Sequence, residues 1–239
     1  HVHTTLSFDA SAFGTTATPA DAYRYAKGEA ILHPGGFEVQ LAQPLDFYAV
    51  TDHGIFLGLI NDAADTETDF SQYELAKPYH NINESVDGGI LDLAKRSMVF
   101  GNFISDVVGG LLDGTIDNSV VNKVSKSAWS KTIEAADEAY VPGTFTTFAG
   151  YEFTSSTSER EALHRNVIFR GTERIPALPF TRFNSLNPEA LWGWMDNMRE
   201  QGVESLAIPH NSNGSNGAMF MFTDWAGNAI DQEYADLRS

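Results

Sequence analysis

Residues 45–51 constrain the fold more than any other stretch. The run is mostly apolar, follows Pro44 and is closed by Asp52-His53-Gly54, so it reads as a buried strand with two titratable side chains at its C-terminal end. Three more runs share the pattern. Residues 144–153 are apolar and bring Glu152 to a strand end, residues 164–170 open on His164, and residues 205–210 close on Pro209-His210. Pro209 is tolerated at a strand end, where its missing N–H does little harm. The opening His1-Val2-His3-Thr4-Thr5-Leu6 reads as the end of a strand, with His1 and His3 on one face.

Helix starts lie between these runs. Thr18-Pro19-Ala20-Asp21 combines a capping hydroxyl, proline at the first helical position and an acid in the first turn, predicting a helix through Tyr25 that stops near Gly28. Asn187-Pro188-Glu189 predicts a second, through Met198 to Gly202. Alternating strands and helices predict a parallel α/β sheet or barrel, in which chemistry collects at the C-terminal ends of the strands. Residues 55–143 break the alternation. They hold no β run, and helical stretches at 89–97 and 127–140 are punctuated by glycine pairs at 88–89 and 109–110. This predicts a helical insertion or lid over 55–143, whose Phe56, Tyr73, Tyr79, Phe100, Phe103 and Trp129 form mostly its own small core. Residues 211–217 read as a polar loop.

Composition excludes several classes. The 239 residues carry a net charge of −17 and no cysteine. Like-charge repulsion argues against nucleic acid as the main partner. The lack of cysteine removes disulfides, thiolate zinc sites and cysteine nucleophiles. No apolar run is long enough for a membrane-spanning helix. No G-x-S-x-G elbow and no phosphate-binding glycine loop occur. The sequence opens on His1 rather than Met and closes on residues that look like a helix interior, so the expectation is a fragment cut at both ends.

What remains is a set of metal-ligand residue types at strand ends. Two imidazoles on one strand face can grip one transition metal. A carboxylate such as Glu152, ending a buried strand, needs either a metal or a salt bridge, for which Arg160 and Arg165 are the nearby partners. His53, His164 and His210 fall at strand ends or starts, and Asp9 follows the first segment; His33 and His80 are bystanders. Mixed nitrogen and oxygen donors suit two or three divalent transition metals, Zn, Mn or Fe, better than calcium.

The order His1-x-His3, Thr51-Asp52-His53, Glu152, His164, His210 resembles the polymerase and histidinol phosphatase (PHP) superfamily. It is most similar to the bacterial family catalogued as domain of unknown function 3604, through His1 to Ala10, Thr18 to Tyr23, Leu45 to His53, Ala149 to Glu152, His164 to Phe169 and Ile208 to Asn213. The resemblance implies one PHP-like domain over 1–239, a distorted TIM-like (β/α)7 barrel with two or three metals at its C-terminal mouth. His1, His3 and Glu152 would hold the first metal and His53 with Asp9 the second. Glu152 would bridge to a third shared with His164 and His210. The late Asp-x-His motif of the superfamily has no counterpart after His210; either it is replaced or the chain stops before it. The resemblance also implies an exported protein. Oligomeric state is not legible.

The expected function is hydrolysis of a small-molecule anionic ester, foremost a phosphoester, by a hydroxide that the metals generate from water. Asp52 would orient a ligating His or the water, and Arg165 would contact the substrate anion. Sulfate-ester hydrolysis by the same site and a non-catalytic PHP-like binding module are the alternatives. An amidohydrolase would want a lysine ligand on a mid-barrel strand, and none of the runs read as strands contains a lysine.

Overall fold

The computed structural model describes residues 1–84, 90–159 and 161–238. Its elements in chain order begin with α1 (Phe8–Ala12), α2 (Pro19–Ala26), the hairpin strands β1 (Ile31–Leu32) and β2 (Glu38–Val39), β3 (Phe47–Val50), α3 (Leu59–Ala64), α4 (Ile90–Asp113) and α5 (Asn118–Ala139). They continue with β4 (Thr146–Phe153), β5 (Arg165–Phe169), α6 (Pro188–Glu200), β6 (Ser205–Pro209) and α7 (Gln232–Arg238), with short 3₁₀ turns in the connections.

The two predicted helix starts are present. Thr18 Oγ1 accepts from Asp21 N at 3.2 Å while Thr18 N donates to Asp21 Oδ2 at 2.9 Å, a reciprocal box that satisfies the first free N–H groups of α2. Asn187 caps α6 by accepting from Glu189 N at 2.8 Å.

Four strands form one mixed sheet in the order β3-β4-β5-β6. Only β3 and β4 are parallel; β4–β5 and β5–β6 are antiparallel. The fold is thus mixed α/β, and among the described residues the sheet stays open rather than closing into a barrel. The departure from an all-parallel sheet has a local reason at β4–β5. The described residues between β4 and β5 contain no helix, and a connection that short cannot carry the chain back for a parallel crossover.

One face of the sheet packs under α5 and α6. Ala149, Tyr151 and Phe153 of β4 and Val167 and Phe169 of β5 meet Trp129, Leu191 and Met195 there. A neighbouring cluster joins Ala22, Tyr23 and Ala26 of α2 to Val50 and to Ala135, Ala136 and Ala139 of α5. Burying apolar surface of this kind contributes about 25 cal/mol per Å². As the edge strand, β3 is less buried than the sequence predicts: Phe47 is 66% exposed and only Val50 of the strand is fully covered.

The described residues of 55–143 are largely helical, and Phe56, Phe70, Tyr79, Phe103 and Val107 share one core with Phe8 and Ala12 of α1, with Tyr73 and Phe100 packed at its margin. Trp129 belongs instead to the core of the sheet. Helix α5 also packs on β4 and α2, so this region includes the helix that returns the chain from β3 to its parallel neighbour β4. Gly109 and Gly110 do not interrupt α4. A side chain at Gly110 would lie 2.8 Å from Ile116 Cδ1, and its absence lets the next segment close onto the helix. The glycine pair at 88–89 lies outside the described residues.

Residues 1–6 form no regular strand. They run beside the end of β3, held by Thr51 N donating to Val2 O at 2.8 Å and by Val2 N donating to Thr51 Oγ1 at 3.0 Å. One backbone bond and a side-chain acceptor stand in for a strand ladder here. Among the described residues no helix is long and apolar enough to cross a membrane.

Candidate metal centre

The C-terminal ends of parallel β3 and β4 lie side by side, and His53 and Glu152 form a bridge just beyond the β3 ladder. Gly54 N donates to Glu152 O at 2.9 Å, and this approach requires glycine, because a Cβ at Gly54 would sit 2.8 Å from the Tyr151 ring. The register then places Asn166 of β5 opposite Glu152. His164 precedes β5 and His210 follows β6, and His210 N donates to His164 O at 2.9 Å. The open segment 1–7 and the first turn of α1 cross this end of the sheet and lay His1, His3 and Asp9 over it.

Glu152, 1% exposed, is the centre of the arrangement. Its Oε2 lies 3.3 Å from His1 Nε2 and 3.1 Å from His3 Nε2; its Oε1 lies 2.6 Å from His164 Nδ1 and 3.5 Å from His53 Nδ1. Asp9 contacts His3 Nδ1 at 3.0 Å and His53 Nε2 at 3.4 Å. The His210 ring stacks on His1 with centroids 3.7 Å apart. All seven residues expected as ligands, His1, His3, Asp9, His53, Glu152, His164 and His210, are therefore brought together. His33 stacks on Phe37 in the β1–β2 hairpin, and His80 contacts Ser71 O; both are bystanders.

The electrostatics are those of a tightly coupled set. Burial alone would push His3 down, but its contacts with Asp9 and Glu152 outweigh burial and raise it to about 9. Burial would push Glu152 up, but His164 and His3 hold its carboxyl down at about 2. Asp9 is likewise held well below the usual carboxylate range, against its burial, by His3 and His53. Burial pushes His210 down.

The donor set fits divalent cations. Oxygen Oε1 of Glu152 is buried and has no hydrogen-bond partner, since His164 Nδ1 approaches it outside hydrogen-bonding geometry. A buried carboxylate oxygen without a donor is costly unless a cation satisfies it. Two triads each have ligand atoms within 4.8 Å of one another: His1, Glu152 and His210, and His3, Asp9 and His53. This grouping differs from the one implied by the resemblance. His3 joins Asp9 rather than His1, and His210 joins His1. Among the described residues no third triad meets the same spacing.

The two residues expected to assist the ligands, Asp52 by orienting a histidine or the water and Arg165 by contacting the substrate anion, make other contacts. Asp52, 1% exposed, touches no imidazole by hydrogen bond. Its carboxylate accepts from Thr4 N at 2.5 Å and Thr4 Oγ1 at 2.7 Å, so it fixes the backbone beside His3, and burial pushes it up to about 6 despite those bonds. Arg165 is not brought to the cluster. Strand alternation turns it to the face opposite Asn166, where its guanidinium donates to Leu163 O at 2.7 Å and lies over the Trp192 ring. Arg160 lies outside the described residues.

Two contacts were missed in the sequence. Asn166 Oδ1 lies 2.8 Å from His1 Nδ1, and Thr154 Oγ1 lies 2.5 Å from His53 Nδ1. The period-2 rule was the available signal: Asn166 is two residues from His164, and Thr154 two from Glu152.

Fold and site together define a mixed α/β protein with a histidine–carboxylate cluster at the end of a parallel strand pair. The family model described as "Protein of unknown function (DUF3604)" matches residues 1–239, and the chain belongs to that family. No curated protein and no solved structure matches the chain.

Proposed function

We propose that this protein is a metal-dependent hydrolase of anionic esters, foremost phosphoesters, with two divalent transition metals, Zn, Mn or Fe, held by its two triads. The observation that carries the proposal is the buried carboxylate Glu152, with four imidazoles within 3.5 Å and one oxygen lacking any hydrogen bond. His1, Glu152 and His210 would hold one cation, and His3, Asp9 and His53 the other. Bound cations of this kind lower the pKa of a coordinated water towards about 7 and stabilise negative charge on a tetrahedral ester's oxygens.

The chain's own residues supply placement. Glu152 contacts histidines of both triads and so ties their positions together. Asp52 holds Thr4, and with it the backbone beside His3. The cluster opens towards solvent at His1 and Asp9, whose side chains are 28% and 30% exposed, so a small ester arrives from that side. With Arg165 turned away, attraction for an anion comes from the cations. Two divalent ions against the charges of Asp9 and Glu152 leave the site net positive despite the acidic chain.

The proposal extends to PHP superfamily membership and to its seven-stranded barrel, of which the four strands here would be an arc. In support, helices cover one face of the sheet, while the face that carries Glu152 and Asn166 leaves Leu206 53% and Ile208 50% exposed. That is the distribution expected of a barrel's interior wall seen without its opposite side.

The test loads purified protein with Zn or Mn and offers p-nitrophenyl phosphate, bis(p-nitrophenyl) phosphate and p-nitrophenyl sulfate. Metal-dependent release from a phosphate ester supports the proposal. Release from the sulfate alone would transfer the same site to sulfate esters. Release from none by a loaded, folded protein would overturn it in favour of a non-catalytic module.

A further inference from the structure

Under the cluster, three side chains form a layer: Glu152 of β4, Thr154 just after β4, and Asn166 of β5, paired with Glu152. Glu152 is charged and touches both triads. The other two are neutral, 7% and 8% exposed, and each meets the Nδ1 of one histidine.

The chemistry of each contact favours one place for the ring proton. Asn166 Oδ1 can only accept, so His1 Nδ1 carries the hydrogen and His1 Nε2 keeps its lone pair, aimed at Glu152 Oε2. Thr51 Oγ1 stands 3.3 Å from the same Nδ1 and borders the contact. Thr154 Oγ1 lies 3.4 Å from Glu152 O, an acceptor for the hydroxyl hydrogen. With the hydroxyl so turned, its lone pair accepts from His53 Nδ1–H and leaves His53 Nε2 free on the side of Asp9 Oδ2. His3, by contrast, has both ring nitrogens on carboxylates.

We infer that Asn166 and Thr154 are positioning residues, each dedicated to one metal position: Asn166 sets the ring of His1 for the His1–Glu152–His210 triad, and Thr154 sets the ring of His53 for the His3–Asp9–His53 triad. The inference rests on the two-cation proposal, and it states that the two positions are tuned separately. Outer contacts of this kind lock tautomer and ring orientation and are worth ~10–100-fold in metal affinity.

The experiment is zinc titration, by calorimetry against a competing chelator, of wild type, Asn166→Leu, Asn166→Asp, Thr154→Val and Thr154→Ser. Each apolar variant is expected to weaken one equivalent of zinc ~10–100-fold and leave the other unchanged. Asn166→Asp and Thr154→Ser, which keep an acceptor, should restore the lost binding. In a His210→Ala background, already lacking the first position, Asn166→Leu should add nothing while Thr154→Val weakens what remains. Nitrogen-15 spectra of zinc-loaded wild type should show His1 and His53 with hydrogen on Nδ1.

If both equivalents weaken together in each variant, if neither changes, or if the conservative variants fail to rescue, the inference falls while the metal centre stands. If wild type takes up no zinc, the metal centre itself falls. Should Asn166→Leu not fold by circular dichroism, Asn166→Ala takes its place.

Discussion

The triad His3–Asp9–His53 comes mostly from one short stretch of chain, whereas His1–Glu152–His210 is assembled from three distant segments. In the first, Ser7 Oγ donates to Asp9 Oδ1 at 2.6 Å and accepts from His53 N at 3.2 Å, and Asp52 clamps Thr4 in between. Local hydrogen bonds hold it in shape. In the second, Glu152 is the penultimate residue of β4, His210 follows the edge strand β6, and His1 rests on Thr51 and Asn166. That triad depends on sheet register, and its His1 is open to solvent to the same degree as Asp9 of the other. The lesson is that one centre can be half preformed by a loop and half conditional on the tertiary fold, with Glu152 touching both.

The sharpest way to break this division is at its shared member. Glu152→Gln removes the charge that faces four imidazoles, so ester hydrolysis should fall by about a thousandfold and at least one equivalent of metal should be lost. Steady-state kinetics and elemental analysis check both. Next, Asp9→Ala and His210→Ala should each cost one equivalent, but not alike. His210→Ala should spare the loop-built triad, leaving metal that resists chelation.

A smaller effect sharpens the comparison through stability. Asp52→Ala leaves Thr4 N–H buried without an acceptor and should cost about 1–3 kcal/mol in urea unfolding of the metal-free chain. The loop-built triad should loosen with it, so its metal should exchange faster. A null result on both counts would show that Asp52 does not set the loop.

The smallest effects are in pH. His3 is raised from 6.5 to about 9, so its stabilisation of the metal-free fold is complete below pH 6.5 and lost as pH rises through 9. Glu152 is lowered from 4.5 to about 2, so its contribution is complete above pH 4.5 and lost as pH falls through 2. The denaturation midpoint of metal-free protein should therefore decline on both sides of pH 4.5–6.5. Loading should flatten the alkaline side, because a ligating His3 is already neutral. Metal uptake at neutral pH should release a proton from His3, which proton-release calorimetry in two buffers detects.

Much of this was legible in the sequence where the physics is local. The capping box at Thr18, the proline start at Pro188 and the apolar runs that became β3 to β6 follow from short-range rules. The cluster was legible because strand ends collect in space, which let seven residues scattered from His1 to His210 be read as one set. Non-local facts were not legible. The antiparallel turn at β5 depends on a connection without a helix. The exposure of Phe47 depends on β3 being an edge, and the segment 1–6 is held by scattered backbone and side-chain bonds rather than a ladder. Arg165 was placed by its charge, while strand alternation, which turns it to Trp192 and gives its place to Asn166, was the better guide.

The central claim is that this cluster holds metal, and metal content per chain tests it most directly. Elemental mass spectrometry on purified wild type and Glu152→Gln, each reloaded with zinc or manganese and freed of loose ions, should find two equivalents in the first and fewer in the second. A folded wild type that remains metal-free after reloading would contradict the account, and with it the assignment of all seven ligands.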